Sequence, residues 1–175
     1  MKILIISNSR TGSTNLMKSI SSFYGVPYSF EPFNRNTPFD LNEGLVLKTL
    51  INQNTYDFYV EFSKKFDKVI LLSRRDVVSM SESLYWVAEK WREDGFRENT
   101  NHHLLEYEYN DKVNVKEERI YKTVKERVKL LKNLSKELNI PLDYYEDIYL
   151  KNHTLNDPEI GLDVSFLDNS LKLRK

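Results

Sequence analysis

The sequence predicts an α/β protein of three layers, with a central, mainly parallel sheet of about five strands flanked by helices. Short apolar runs rich in isoleucine, valine and leucine, such as Ile3–Ile6 and Val69–Leu72, lack the polar alternation of a half-exposed strand and read as strands buried on both faces. Segments of helical periodicity separate these runs, so strand and helix alternate, which is the pattern of parallel crossovers. Right-handed crossovers then gather the strand-to-helix loops at one end of the sheet.

The first strand spans residues 2–7, and a polar loop leads into a helix with Leu16, Ile20 and Phe23 on one face. Gly25 stands where a helix end favours positive φ. Pro27–Phe30 and Leu45–Lys48 fit two further strands. Tyr56, Tyr59, Phe62 and Phe66 mark a helix, Lys68–Ser73 is the fourth strand, and a helix follows from Val77 to about Trp91. Residues 93–114 are polar, rich in aromatics and without period, as in a lid or substrate loop. Ile120, Val124, Val128, Leu131, Leu134 and Leu138 give the clearest helical stripe, closed by Asn139-Ile140-Pro141. Leu142–Tyr145 is the fifth strand, and residues 152–175 form a weakly patterned tail. The whole, 1–175, reads as one domain.

Lys plus Arg equals Asp plus Glu at 26 each, so no global field draws the chain to nucleic acid or to an anionic membrane. A polyanionic ligand must be held by local charge. The absence of cysteine excludes disulfides, thiol nucleophiles and cysteine–zinc sites. The opening apolar run is too short for a signal-peptide core and no later stretch has the length of a membrane span, so a cytoplasmic protein is expected.

Two segments carry chemistry. Ser7-Asn8-Ser9-Arg10-Thr11-Gly12-Ser13-Thr14 joins a buried strand to a helix, where backbone N–H groups, hydroxyls and the Arg10 guanidinium suit an anion. Ser13 follows Gly12 where a Walker A loop needs lysine, which argues against a kinase-type magnesium site. The second segment, Ser73-Arg74-Arg75-Asp76 with Ser79 and Ser83 in the helix beyond, offers an arginine and a serine that can converge on one phosphate. Arg74 is an alternative to Arg75, and Ser79 lies one turn before Ser83.

Arg10-Thr11-Gly12-Ser13-Thr14-Asn15-Leu16 resembles the R-S-G-S-T-x-L loop of sulfotransferases that use 3′-phosphoadenosine-5′-phosphosulfate (PAPS). Arg75, Asp76 and Ser83 match the R-D-x(6)-S pattern that grips the 3′-phosphate in that family, and Tyr145-Glu146-Asp147-Ile148 resembles its Y-E-D-L segment on a late strand. The resemblance covers residues 1 to about 150. It implies a P-loop-NTPase-like fold and PAPS as co-substrate, giving PAP as product, with no metal. Arg10, Thr11, Gly12, Ser13, Thr14 and Asn15 would hold the 5′ end, and Arg75 with Ser83 the 3′-phosphate. Glu146 would pair with a basic residue in a structural role.

The chain departs from the cytosolic members of that family in three respects. Asn15 stands where they often carry an adenine-stacking tryptophan, and the R-K-G segment has no counterpart, since Leu171–Lys175 is basic but without glycine. Their K-T-H histidine is also missing, because the matching stretch here is Lys48-Thr49-Leu50. His102, His103 and His153 lie outside any motif. Glu31, in Phe30-Glu31-Pro32-Phe33, resembles the E-P-F element of bacterial and carbohydrate-directed members, which makes it the candidate base, with Arg10 and Lys48 stabilising charge. The acceptor would be a small-molecule or glycan hydroxyl. Trp86, Trp91, Tyr107 and Tyr109 are aromatic candidates for contacting it, and Trp86 and Trp91 are equally candidates for the core of the helix after Arg75. A nucleotide or nucleoside kinase, and a non-catalytic PAP-binding protein on a decayed scaffold, are the competing readings.

Overall fold

A computed structural model describes residues 1–93 and 115–149, with side-chain surroundings for 1–87 and 118–149. The expected lid at 93–114 falls almost entirely outside the described residues, and the tail at 152–175, with His153, does so wholly; His102, His103, Tyr107 and Tyr109 lie outside too.

In chain order the elements are β1 (Lys2–Ser7), α1 (Ser13–Tyr24), β2 (Tyr28–Phe30), α2 (Pro32–Arg35), β3 (Leu45–Leu50) and α3 (Tyr56–Ser63), then β4 (Lys68–Ser73), α4 (Val77–Glu93), α5 (Val115–Leu138), β5 (Leu142–Tyr144) and α6 (Tyr145–Tyr149). The five strands form one sheet in the order β2-β3-β1-β4-β5, and every neighbouring pair is parallel. β1 is central, with Ser7 opposite Leu50 on β3 and Leu72 on β4.

Burial on both faces explains the unbroken apolar run of β1. Ile3 and Ile5 pack with Leu16, Met17 and Ile20 of α1, while Leu4 and Ile6 pack with Tyr59 and Phe62 of α3 and Leu131 and Leu134 of α5. Each such side chain stabilises the fold by roughly 1.5–3 kcal/mol. Hence α1 covers one face and α3 with α5 the other, in three layers as expected.

The stripe on α1 differs in one residue from expectation. Phe23 is 53% exposed and Met17 is fully buried. At about 100° per residue, Leu16, Ile20, Tyr24 and Met17 span one arc, and Phe23 falls just beyond its edge. Phe23 instead meets Tyr24 edge-to-face at 4.9 Å. The apolar face of α5 divides between two partners. Val124 and Val128 meet Met80 on α4, whereas Leu131 and Leu134 meet the sheet. Asn139 ends α5 at φ 51.

Two short helices follow edge strands, α6 directly after β5 and α2 one residue, Glu31, after β2. The segment Tyr145-Glu146-Asp147 therefore lies in a helix rather than on the late strand implied by the resemblance, because the edge strand β5 pairs only through Leu142, Asp143 and Tyr144. The chain leaves β1 towards β2 and leaves β4 towards β5, so the order reverses between β1 and β4, where open α/β sheets bind ligands. No described helix is long and apolar enough to cross a membrane.

Candidate functional site

The loop after β1 stands at that reversal point and makes a tight curl. Arg10 at φ 63 and Gly12 at φ 70 are both left-handed, with the buried Thr11 between them. Left-handed backbone at a non-glycine residue such as Arg10 is a strained arrangement that the surroundings must hold in place. They do so through hydroxyl and amide bonds. Thr11 Oγ1 donates to the Asn8 carbonyl at 2.9 Å, Asn8 Oδ1 accepts from the Ser9 N–H at 2.9 Å, and Asn8 Nδ2 donates to the Val124 carbonyl on α5 at 3.3 Å. Ser7 Oγ donates to Ser13 Oγ at 2.9 Å, fixing the loop to the start of α1.

Gly12 is the N-cap of α1, no side chain caps that end, and its first turn holds no acidic residue. An uncapped helix N-terminus beside a left-handed curl carries partial positive charge, which suits an anion. Tyr149 of α6 closes the loop from below. Its hydroxyl donates to the Gly12 carbonyl at 2.5 Å, and a Cβ at Gly12 would lie 2.7 Å from its ring. Burial pushes the Tyr149 hydroxyl above its ordinary range, so it stays protonated and able to donate.

The loop after β4 is organised differently. The Glu146 carboxylate accepts from the Arg75 N–H at 2.9 and 3.1 Å and from the Asp76 N–H at 3.1 Å. Asp76 caps α4, accepting from the Ser79 N–H at 2.9 Å and from Ser79 Oγ at 2.5 Å, which holds its carboxyl below the usual range. The Arg75 guanidinium makes a bidentate pair with Asp147 at 2.8 and 2.6 Å and lies 4.3 Å from the Tyr144 ring centroid. That pair raises the Arg75 pKa further. Arg74 lies 5.0 Å from the Tyr145 ring centroid, with its Nε 3.9 Å from Glu146.

Between the two loops, Arg10 Nε donates to Ser83 Oγ at 2.7 Å, across 73 residues of sequence. The structure therefore joins Ser83 to the first loop and commits Ser79 to the helix cap. Arg75 is held on Asp147, and Glu146 pairs with backbone and with Arg74. Asn15 is exposed on the first turn of α1, and Thr14 is half-buried. Trp86 is half-buried on α4 beside Tyr85, whereas the surroundings of Trp91 lie outside the described side chains.

A second cluster stands at the ends of β2 and β3. Glu31 directly follows β2 in a left-handed conformation, φ 48, and its N–H donates to the Lys48 carbonyl at 2.8 Å. Its Oε1 pairs with the buried Lys48 ammonium, and its Oε2 accepts from Gln53 Nε2 at 2.8 Å. The Gln53 amide can face only one way, since its oxygen accepts from the Leu50 N–H at 3.1 Å and from Thr49 Oγ1 at 2.8 Å. Tyr59 completes the network, donating to the Leu50 carbonyl at 2.5 Å, and burial pushes its phenol up to about 12. Burial also lowers the Lys48 pKa, an effect that pairing with Glu31 opposes.

Sequence reasoning missed Tyr149, Asp147 and Gln53 as members of these clusters. Tyr145, Ile148 and Tyr149 do carry a signal, a helical i, i+3, i+4 spacing. Gln53 has none, because its role depends on a turn that returns it to Leu50. In comparison with known proteins, the chain matches no family profile, no curated sequence and no solved structure.

Proposed function

We propose that this chain is a PAPS-dependent sulfotransferase. The observation that carries the reading is the Arg10–Ser83 hydrogen bond, which joins two motifs that resemble the family's 5′- and 3′-phosphate grips. The strand order adds support, because the two loops follow neighbouring strands on either side of the reversal point, as in a P-loop-NTPase-like sheet.

In this reading Gly12, Ser13, Thr14 and Asn15 offer N–H and hydroxyl donors to the 5′-phosphosulfate, with Thr11 bracing the loop and Arg10 adding charge. Arg75 and Ser83 serve the 3′-phosphate. Glu31 takes the proton of the acceptor hydroxyl as the acceptor oxygen bonds to sulfur. The bond from sulfur to the 5′-phosphate oxygen breaks, and PAP leaves with that electron pair. Arg10 and Lys48 offset the charge on the departing phosphate. The carboxylate of Glu31 uses one oxygen for Lys48 and one for Gln53, and each oxygen keeps a second lone pair that can accept a proton. Glu31 follows β2, two strands from β1, about 10 Å across the sheet at ordinary strand spacing, which leaves room for an acceptor between them.

Calorimetric titration with PAP, AMP and ATP tests the nucleotide assignment. PAP is expected to bind best, and R75A and S83A are expected to abolish its advantage over AMP. Equal affinity for PAP and AMP in the unaltered protein overturns the 3′-phosphate assignment. Single-turnover transfer from PAPS to a panel of phenol and sugar hydroxyls tests the base, since E31Q should reduce transfer at least a hundredfold, on the order of a lost general base. PAP binding without transfer to any acceptor would instead mark a non-catalytic nucleotide-binding protein.

A further inference from the structure

The loop after β4 already holds anions, and they are the chain's own. Glu146 and Asp147 differ in how firmly they sit there. The Glu146 side chain is 19% exposed and accepts three bonds from two backbone N–H groups, with Arg74 nearby. The Asp147 side chain is 49% exposed, and the Arg75 side chain that it pairs with is 52% exposed. Although bidentate, the pair is about half open to solvent, which screens it, whereas a phosphate brings more charge and more acceptor oxygens to the same guanidinium. The Tyr144 ring beneath Arg75 keeps the guanidinium plane in place whichever anion it holds.

From this we infer that Asp147 is a specificity-determining residue, an exchangeable internal anion that a 3′-phosphate displaces from Arg75. The inference rests on the nucleotide reading above and adds to it the group that the ligand must displace. Glu146 remains in place during the exchange, because its removal would leave two backbone N–H groups without acceptors. Asp147 thereby sets how strongly the site prefers a 3′-phosphorylated nucleotide over one without that group.

The test is titration of the full chain with PAP and with AMP. D147N removes the competing charge at nearly constant shape, so PAP should bind about two- to fivefold tighter, the scale of an exposed ion pair, and AMP should bind as before. D147E keeps the charge and should show no gain, and in R75A the D147N gain should vanish. Thermal unfolding of each variant checks that the fold is retained. If the unaltered protein prefers PAP but D147N leaves PAP binding unchanged or weaker, the inference is overturned and the nucleotide reading stands. Tightening of PAP and AMP alike overturns it too, since a general field would then be responsible. Equal affinity of the unaltered protein for PAP and AMP, or no binding of either, overturns the reading and the inference together.

Discussion

The loop after β1 curls through two left-handed residues, Arg10 and Gly12, and opens onto a helix end that no side chain caps, whereas Arg74, Arg75 and Asp76 after β4 adopt no positive φ and lead into a helix capped by Asp76. Both loops join a buried parallel strand to a helix at the same end of the sheet. They differ in where their acceptors come from. At the second loop Asp76 and Glu146 take the backbone donors and Asp147 takes a guanidinium. At the first, the chain braces the curl through Thr11, Asn8 and Tyr149 but puts no carboxylate in the first turn of the helix. The same motif grammar thus yields one loop whose helix end has no side-chain cap and one whose backbone donors meet the chain's own carboxylates. Strain is stored in the first, in keeping with the habit of functional sites to hold backbone in sparse conformations.

Gly12 should be the most sensitive position in this contrast. Alanine there meets left-handed strain of about 1–2 kcal/mol and a Tyr149 ring 2.7 Å from the new Cβ. With overpacking included, G12A is expected to destabilise by about 2–4 kcal/mol, measured by urea unfolding. In a Y149A background the clash is absent, and the same substitution should cost only the strain. Equal costs in the two backgrounds would mean that Tyr149 does not shape the loop.

The support of the second loop can be probed through β5, which carries α6. Burial, with the nearby Asp147 adding to it, pushes the Asp143 carboxyl up to about 6, while Lys68 opposes. The folded protein therefore binds more protons at this site than the unfolded chain between about pH 4 and pH 6. Stability from this group falls as pH rises through that window, and the cost persists above it. D143N should remove that slope and stabilise the protein at pH 7 by about 1–3 kcal/mol. Urea unfolding at pH 4.5, 5.5 and 7 measures this, and an unchanged slope would show that Asp143 does not titrate in this range.

Much of the fold was legible because its signals are local. The buried runs of β1 and β4, the turn at Gly25 and the end of α5 at Asn139 each depend on a few adjacent residues. The loop around Arg10 and Gly12 was legible for the same reason. What the sequence hid was pairing at long range. The Arg10–Ser83 and Gly12–Tyr149 bonds span 73 and 137 residues, and no spacing rule connects such positions. Asp147 was read with Glu146 as one structural motif, yet successive residues of a short helix point different ways, so one carboxylate meets backbone and the other a guanidinium. Gln53 was silent because an amide in a turn becomes informative only when its two partners are known.

The smallest expected effect tests whether the two loops are separable. Asp76 caps α4 through both of its oxygens, so D76A removes two bonds to Ser79 and should cost about 1 kcal/mol at neutral pH. Because its folded pKa is lowered, that contribution is present above the ordinary carboxylate range and is lost as pH falls through the folded value. The penalty of D76A should accordingly disappear in acid. Its effect on ligands is the sharper measurement. If the first loop is a self-contained receptor, AMP should bind D76A as it binds the unaltered protein, because the cap lies on the second loop. A parallel loss of AMP affinity would show that α4 transmits its cap to Arg10 through Ser83, and the two loops would then be one site with two differently filled halves.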